Sequence, residues 1–202
     1  MNNEFLHIEG LDLSGKSTLV KTIIENSKLY WLVRNKKLTN INPIFDFVTK
    51  IQKEGQYSLD VIGNMCLGAL WADIDNYLVE EKNIIQDSTM ALRSLAYYAA
   101  RGYTKIANGF EAALDKHPKP THSFCLSASL DTRLKRLDKR FKENGQISKL
   151  DLEIINNPKL FMKTDKIIQD AAIKYFNSKI IDTSNLSEYD IFEIVRNDVG
   201  LE

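Results

Sequence analysis

The feature that most constrains this chain is a glycine-rich loop close to its N-terminus. Residues 10–17 read Gly-Leu-Asp-Leu-Ser-Gly-Lys-Ser, which matches the pattern G-x-x-x-x-G-K-[ST] at every fixed position. A short apolar run precedes the loop and a helical pattern follows it, which is the strand–loop–helix context that the motif requires. A chance match in an ordinary turn would lack this context, so we interpret the loop as an anion-binding site.

The residue types in this loop have a direct chemical use. Its two glycines let the backbone turn tightly and direct N–H groups inward at the N-terminus of a helix, where an anion is stabilised. The Lys16 ammonium is expected to contact the outer phosphates of a nucleoside triphosphate, and the Ser17 hydroxyl is expected to bind Mg²⁺. The predicted cofactor-binding residues of the loop are Gly10, Ser14, Gly15, Lys16, Ser17 and Thr18.

Strand-like and helical patterns alternate along the rest of the chain. Short apolar runs predict buried strands at residues 5–8, 29–33, 83–86, 123–127 and 179–181. Helical patterns predict helices at residues 16–26, 43–54, 59–81, 91–101, 105–116, 132–142, 159–177 and 187–197. This alternation indicates a doubly wound α/β fold with a parallel sheet covered on both faces. The polar, non-periodic stretch 142–158 is interpreted as a loop or lid within a single domain, 1–202.

Composition narrows the range of partners and locations. Lys and Arg together number 27, as do Asp and Glu, so the formal net charge of zero argues against general binding to nucleic acid. The N-terminus lacks the features of a signal peptide and no run of about 18 apolar residues is present, so no membrane partner is expected. Cys66 and Cys125 belong to no C-x-x-C pair, which favours a reduced, cytoplasmic setting.

A second carboxylate follows the third predicted strand. Residues 83–87 read Asn-Ile-Ile-Gln-Asp, so Asp87 lies at the strand end. Enzymes with this kind of phosphate loop place a carboxylate there to hold the magnesium shell. The alternative is a helix cap, because Asp, Ser and Thr at 87–89 all favour that position, and the two roles can coexist.

The motifs taken together resemble a known family. Residues 5–12 and 14–19 (Phe-Leu-His-Ile-Glu-Gly-Leu-Asp and Ser-Gly-Lys-Ser-Thr-Leu) resemble the opening of thymidylate kinases. The segments that resemble later motifs of this family, in the same order, are 85–87 with 95–97, 134–136 with Arg140, and 180–184. Deoxynucleoside kinases share the general plan and are the nearest alternative.

The resemblance implies a P-loop NTPase fold: a five-stranded parallel sheet in the order 2-3-1-4-5, flanked by helices, with a short lid. It also implies transfer of the γ-phosphoryl group of ATP to a nucleoside monophosphate with Mg²⁺, and a homodimer. The residues that the resemblance implies to be catalytic are Lys16, Asp12, Asp87 and Arg140, with Asp12 also contacting the acceptor. Those implied to approach the donor adenine are Arg136, Asp182 and Thr183. Because Arg133, Arg136 and Arg140 are at helical spacing, they could instead form a solvated basic helix face without a role in the site; this alternative is as good as a functional role for Arg133 and weaker for Arg136.

Several positions depart from the family pattern, and most concern the acceptor. Ser88 stands where the family has an arginine for the acceptor phosphate, Ile74 replaces a second such arginine, and Leu70 replaces an aromatic residue that stacks on thymine. Because charge-assisted hydrogen bonds are the strong ones, thymidylate is expected to be a poor acceptor. Leu13 also stands where the loop could carry a positive side chain. The cations that phosphoryl transfer needs would therefore have to come from Arg140 and nearby lysines.

Compensation is expected from other side chains near the predicted acceptor site. Arg93, Tyr97 and Arg101 share one face of the helix after Asp87, but we favour a helix-terminal role for Arg101, where its charge complements the macrodipole. Arg34 ends the second strand. The predicted acceptor-binding residues are therefore Asp12, Arg34, Leu70, Arg93 and Tyr97.

Two classes of function stay open at this level. The intact loop and both carboxylates favour a kinase acting on a nucleoside monophosphate, or else on a nucleoside or another hydroxyl metabolite. The substituted acceptor positions favour a nucleotide-binding regulatory protein with little transfer activity. A GTPase switch is disfavoured because no N-K-x-D segment is present to read guanine.

Overall fold

A single parallel sheet organises the molecule. The computed structural model describes residues 3–77, 82–145 and 149–201, and within them five strands pair in the order β2-β3-β1-β4-β5. The strands are Phe5–Glu9 (β1), Trp31–Lys36 (β2), Asn83–Thr89 (β3), His122–Ser127 (β4) and Lys179–Asp182 (β5). Every pairing is parallel, so the predicted fold class and strand order are confirmed.

Helices connect the strands, as predicted. They are Lys16–Asn26 (α1), Pro43–Glu54 (α2), Leu59–Asp75 (α3), Met90–Ala100 (α4), Thr104–Lys116 (α5), Leu130–Asn144 (α6), Lys149–Asn156 (α7), Pro158–Phe176 (α8) and Glu188–Val199 (α9). Local signals set their ends. For example, α2 begins after Asn42, whose side-chain oxygen accepts a hydrogen bond from the Phe45 N–H, and ends at Gly55 in the left-handed conformation. None of the helices in the described segments is both long and apolar enough to cross a membrane.

The sheet has a hydrophobic core on each face. Cys125 belongs to the core formed largely by α3, α4, α5 and α8, whereas its neighbours Phe124 and Leu126 belong to the core beneath α1 and α9. Because successive side chains of a strand point to opposite faces, the two cores lie on opposite sides of the sheet. This arrangement explains why the strands read as continuous apolar runs rather than alternating ones.

The strand predicted at 29–33 lies at Trp31–Lys36, and the largest differences from the predicted segments lie in two other places. The third predicted helix, 59–81, ends at Asp75, and residues 78–81 lie outside the described part of the chain. The stretch 142–158 is not a loop throughout, because it contains the end of α6 and the whole of α7, although 146–148 also lie outside the described residues. Ile154 of α7 is 1% exposed and packs in the core. A helix as short as α7 has too few buried positions to show a recognisable helical period in the sequence.

The ends of β2 and β3 carry a bulge at the edge where the phosphate loop follows β1. Asn35 pairs with Asp87 and Lys36 pairs with Thr89, so Ser88 is an extra residue on β3. Ser88 has a φ of 66° and Lys36 a φ of 61°, both in the left-handed region that non-glycine residues rarely adopt. Bulges of this kind redirect side chains and occur often beside active sites.

Candidate active site

The phosphate loop adopts the tight turn that its glycines allow. Gly10 has a φ of 138°, and a Cβ atom there would lie 2.2 Å from the carbonyl oxygen of Leu126, so no other residue fits without displacement. Gly15 has a φ of 101° and immediately precedes α1. The loop therefore places the N-terminus of α1, with its unpaired N–H groups, against a cavity.

Lys16 is folded back over this loop. Its Nζ atom donates a hydrogen bond of 3.3 Å to the carbonyl oxygen of Leu11, and the residue is largely buried. Burial lowers the pKa of Lys16, and the nearby Arg93 charge lowers it further, against the opposite effect of Asp12 and other carboxylates. The ammonium therefore lies beside the loop at which the sequence predicts a phosphate.

Ser17 and Asp87 form the predicted magnesium pair. The Ser17 hydroxyl donates a hydrogen bond of 3.3 Å to Oδ2 of Asp87. The helix-cap alternative for Asp87 is wrong, because α4 is capped by Thr89, whose hydroxyl oxygen accepts from the Leu92 N–H. The hydroxyl and carboxylate are hard oxygen ligands, and Mg²⁺ often takes one or two such ligands and completes its shell with phosphates and water. Among the described residues, no cluster of three or more His, Cys, Asp or Glu could hold a metal without such help.

Asp12 and Arg93 form an ion pair above the loop. Nη2 of Arg93 donates to Oδ1 of Asp12 at 2.8 Å, and its Nη1 donates to the carbonyl oxygen of Gly10 at 2.9 Å. Burial by itself raises the pKa of Asp12, but the charges of Arg93 and Lys16 outweigh it and hold that pKa below its usual value. Oδ2 of Asp12 is buried and accepts no hydrogen bond within the described residues, so it can receive one from a ligand.

Arg136 and Thr183 brace the loop from the other side. Arg136 donates to the carbonyl oxygens of Leu13 and Thr183, at 2.9 Å each, and to the Thr183 hydroxyl. Thr183 is fully buried, and its hydroxyl lies 2.9 Å from the Ser14 carbonyl oxygen. Asp182 is exposed and accepts from the backbone and hydroxyl of Ser184. Thr183 and Asp182 therefore support the loop and the following turn, and their contact with the donor stays a prediction.

Two cavities meet at the phosphate loop. The larger, of about 480 Å³, is lined by Asp12, Leu13, Gly15, Lys16, Ser17, Thr18, Leu19, Arg136, Lys139, Arg140, Glu143, Leu186, Glu188 and Ile191. The smaller, of about 130 Å³, is lined by Asp12, Lys16, Ser17, Asn35, Lys36, Asp87, Ser88 and Arg93. Asp12, Lys16 and Ser17 line both, so the two cavities adjoin at these residues.

Comparison with known proteins agrees with this fold. No family model and no curated protein matches the sequence. Among solved structures, thymidylate kinase from Candida albicans superposes with a TM-score of 0.68 at 17% identity, covering 99% of this chain and 94% of that one. A deoxyadenosine kinase from M. mycoides with bound dATP superposes with a TM-score of 0.62 at 17% identity, covering 97% and 99%. This chain has the thymidylate kinase-like P-loop kinase fold.

Within this kinase fold, Arg34 does not reach the cavities formed by the described residues. It is 4% exposed, and it donates from Nε to the carbonyl oxygen of Leu38 and from Nη1 to Oδ1 of Asn40. The same loop is fixed by Asp73, which accepts from the N–H groups of Leu38 and Thr39. Arg34 therefore supports the β2–α2 loop and is not among the residues that line the two cavities, so its acceptor role stays a prediction.

Two further predicted acceptor residues, Leu70 and Tyr97, are not among the residues that line these two cavities. Leu70 is 1% exposed and packs in the core of α3, α4 and α5, because the helix turns that position inward. The ring of Tyr97 is covered by the guanidinium of Arg101, 3.6 Å from its centroid. Arg101 is the C-cap of α4 and pairs with Glu153 of α7, which agrees with the helix-terminal role favoured for it.

Arg133 is a supporting residue that the sequence left undecided. The solvated-face alternative is wrong, because Arg133 is fully buried and donates to Oδ1 of Asp165 at 2.7 Å. It also donates to the carbonyl oxygens of Asp12 and Ala128, at 2.6 and 2.9 Å. Arg133 thereby ties the phosphate loop of the kinase fold to α8.

Glu9 is a second supporting residue, and sequence reasoning missed it. Its carboxylate accepts from the Gly10 N–H at 3.0 Å and from the Thr89 N–H at 2.9 Å. Burial raises the pKa of Glu9, but the neighbouring His7 and Arg93 outweigh it, and the pKa lies below its usual value. A carboxylate placed directly before the first glycine of the loop, at the end of a buried strand, is the signal that could have revealed it.

Proposed function

We propose that this protein is an ATP- and Mg²⁺-dependent kinase that phosphorylates a nucleoside monophosphate, with a free nucleoside as the alternative acceptor. The observation that carries this proposal is the pair of cavities that share Asp12, Lys16 and Ser17. A donor in the larger cavity and an acceptor in the smaller one would meet beside Lys16, and such proximity is the main requirement of phosphoryl transfer. A deoxyadenosine kinase of the same fold has dATP bound, which supports binding of an adenine nucleotide in a fold of this kind.

The side chains have complementary tasks in this proposal. The loop N–H groups and Lys16 bind the donor phosphates, while Arg140 lines the larger cavity from α6 and adds a second positive charge. Oδ2 of Asp12 accepts a hydrogen bond from the acceptor. An acceptor oxygen attacks the γ-phosphorus, the bond to the β-phosphate oxygen breaks, and ADP leaves. Mg²⁺, held by Ser17 and Asp87, would neutralise charge on the reacting phosphates.

The test is ADP release from ATP and Mg²⁺ with a panel of nucleosides and nucleoside monophosphates. We expect at least one acceptor to stimulate release, and Lys16→Ala to lower the stimulated kcat/KM by roughly a hundredfold or more. Lys21→Ala is the matched control, because Lys21 is exposed on α1 and pairs only with Glu25 among the described residues. Release that no acceptor stimulates, or that Lys16→Ala leaves unchanged, would contradict the proposal.

A nucleotide-binding regulatory protein is the second candidate. The burial of Arg34 under its own loop favours it, since a predicted acceptor cation is thereby lost. This candidate predicts that ATP binds while no acceptor in the panel stimulates ADP release. A homodimer stays a prediction of the resemblance, and sedimentation of the purified chain would test it.

A further inference from the structure

Lys36 lies at the bulge between β2 and β3, and no sequence pattern identified it as a site residue. Lys36 lines the smaller cavity together with Asn35, Asp87, Ser88 and Arg93. Its side chain makes no hydrogen bond or ion pair to any residue in the described part of the chain, and its charge acts on Asp12. An exposed ammonium directed toward a cavity that contains a catalytic carboxylate is available to a ligand.

The backbone at this point is strained. Lys36 and the adjacent-strand residue Ser88 both have left-handed φ values, and both line the same cavity. L-residues with a Cβ atom adopt this conformation at an energetic cost, and such residues cluster at functional sites. The Lys37 N–H donates to the Asn35 carbonyl oxygen at 2.7 Å, so the chain turns sharply around Lys36. The residue with the strained backbone is therefore the same residue that lines the smaller cavity.

The neighbouring cations are already engaged. Arg34 binds the Leu38 carbonyl and Asn40. Lys37 pairs with Asp46 at 3.2 Å, and its Nζ lies 5.4 Å from the centre of the Phe45 ring. Of the three basic residues at this end of β2, Lys36 is the one that lines the smaller cavity as the described residues form it.

The smaller cavity has the charge and size of a phosphate site. Lys16, Lys36 and Arg93 face Asp12 and Asp87, so the cations outnumber the carboxylates. Its volume of about 130 Å³ is well below the roughly 300–1,000 Å³ of sites that enclose a drug-sized ligand. A phosphate group fits such a space, whereas a whole nucleoside does not, and the rest of the acceptor would extend through the opening.

We infer that Lys36 and Arg93 bind the phosphate of an anionic acceptor, a nucleoside monophosphate, and that the left-handed backbone of Lys36 exists to direct this lysine. The inference rests on the proposed kinase function and assigns the acceptor phosphate to a residue other than Arg34. Arg93 also pairs with Asp12, so its guanidinium would lie next to both the acceptor phosphate and this carboxylate and offset their negative charges, while Oδ2 of Asp12 stays available to a hydroxyl of the acceptor.

Isothermal titration with the four common deoxynucleoside monophosphates and their free nucleosides tests this assignment. We expect the wild-type chain to bind one monophosphate more tightly than its nucleoside. Lys36→Ala should weaken that monophosphate by roughly ten- to a hundredfold, the effect of one charged hydrogen bond, and leave nucleoside binding unchanged. Lys37→Ala, the adjacent matched control, should leave both affinities unchanged.

Lys36→Gly separates the cation from the strain. It should lose monophosphate binding as Lys36→Ala does, and it should also raise the thermal midpoint above that of Lys36→Ala, because glycine adopts φ 61° without a Cβ penalty. The inference is overturned if Lys36→Ala binds the monophosphate normally, or loses the nucleoside equally, or if Lys36→Gly is no more stable than Lys36→Ala. Since titration needs no turnover, it decides the role of Lys36 even if ADP release shows the kinase proposal to be wrong.

Discussion

Removing the guanidinium of Arg133 should strongly destabilise the fold. Arg133 and Asp165 are 0% and 2% exposed in their side chains, and they lie 2.7 Å apart. Arg133→Met keeps an apolar side chain of similar length but leaves Asp165 as an uncompensated buried carboxylate. It also leaves the carbonyl oxygens of Asp12 and Ala128 without this donor.

The expected loss of stability is that of removing one member of a buried ion pair. Such changes cost about 3–5 kcal/mol, because the remaining charge stays buried and unpaired. A domain has a total stability of about 5–15 kcal/mol, so the variant should be marginal. For a chain of this size the loss corresponds to a fall of roughly 6–20 °C in thermal midpoint. Urea unfolding at neutral pH measures the free energy directly.

The pH dependence gives an independent check. Burial raises the pKa of Asp165 above its usual value, and Arg133 opposes that rise. Without Arg133 the folded-state pKa of Asp165 should rise further, so the folded chain binds a proton more readily than the unfolded chain. The stability deficit of Arg133→Met should therefore be largest at neutral pH and shrink as the pH falls through the raised pKa toward the ordinary aspartate range.

Two further variants make the result decisive. Lys135→Met removes an exposed charge from the same helix and should change the unfolding free energy by less than about 0.5 kcal/mol. Arg133→Met combined with Asp165→Leu should recover a large part of the loss, since no charge stays buried. If the free energy of unfolding of Arg133→Met lies within about 1 kcal/mol of the wild-type value, the loss is smaller than the cost of a broken buried pair, and the reasoning is refuted.

Three other predictions follow from the site. Asp87→Asn should lower acceptor-stimulated kcat by roughly tenfold or more while ATP affinity changes little; normal turnover at saturating Mg²⁺ would contradict this. Gly10→Ala should lower the thermal midpoint, since its Cβ would lie 2.2 Å from the Leu126 carbonyl oxygen, whereas Gly68→Ala, with open space around it, should not. Thymidylate should be a poorer acceptor than the best monophosphate of the panel, because Leu70 is in the core and offers no surface to thymine; comparative steady-state kinetics would refute this if thymidylate ranked first.

Most strands and helices, and the predicted donor side of the site, could be inferred from the sequence alone. The loop at 10–17 carries its chemistry in consecutive residues, so its glycines, Lys16 and Ser17 could be assigned without knowing any distant contact. Continuous apolar runs and helical periodicity gave the strands and most helices, because these patterns reflect burial on two faces of one sheet. The position of Asp87 could also be predicted from sequence, because the C-terminal ends of parallel strands lie at one edge of the sheet.

The three-dimensional contacts were needed to tell which charged side chains support the site and which line its cavities. Glu9 bonds to Thr89, 80 residues away, and Arg133 bonds to Asp12, 121 residues away, so neither role has a local signal. Arg34 and Lys36 are near neighbours on one strand, yet one is buried under its own loop and the other lines the cavity. The two side chains differ in direction because a bulge and two left-handed residues lie at this end of the strand pair. Pairing between the strands imposes these backbone dihedrals, and the dihedrals set the direction of the side chain.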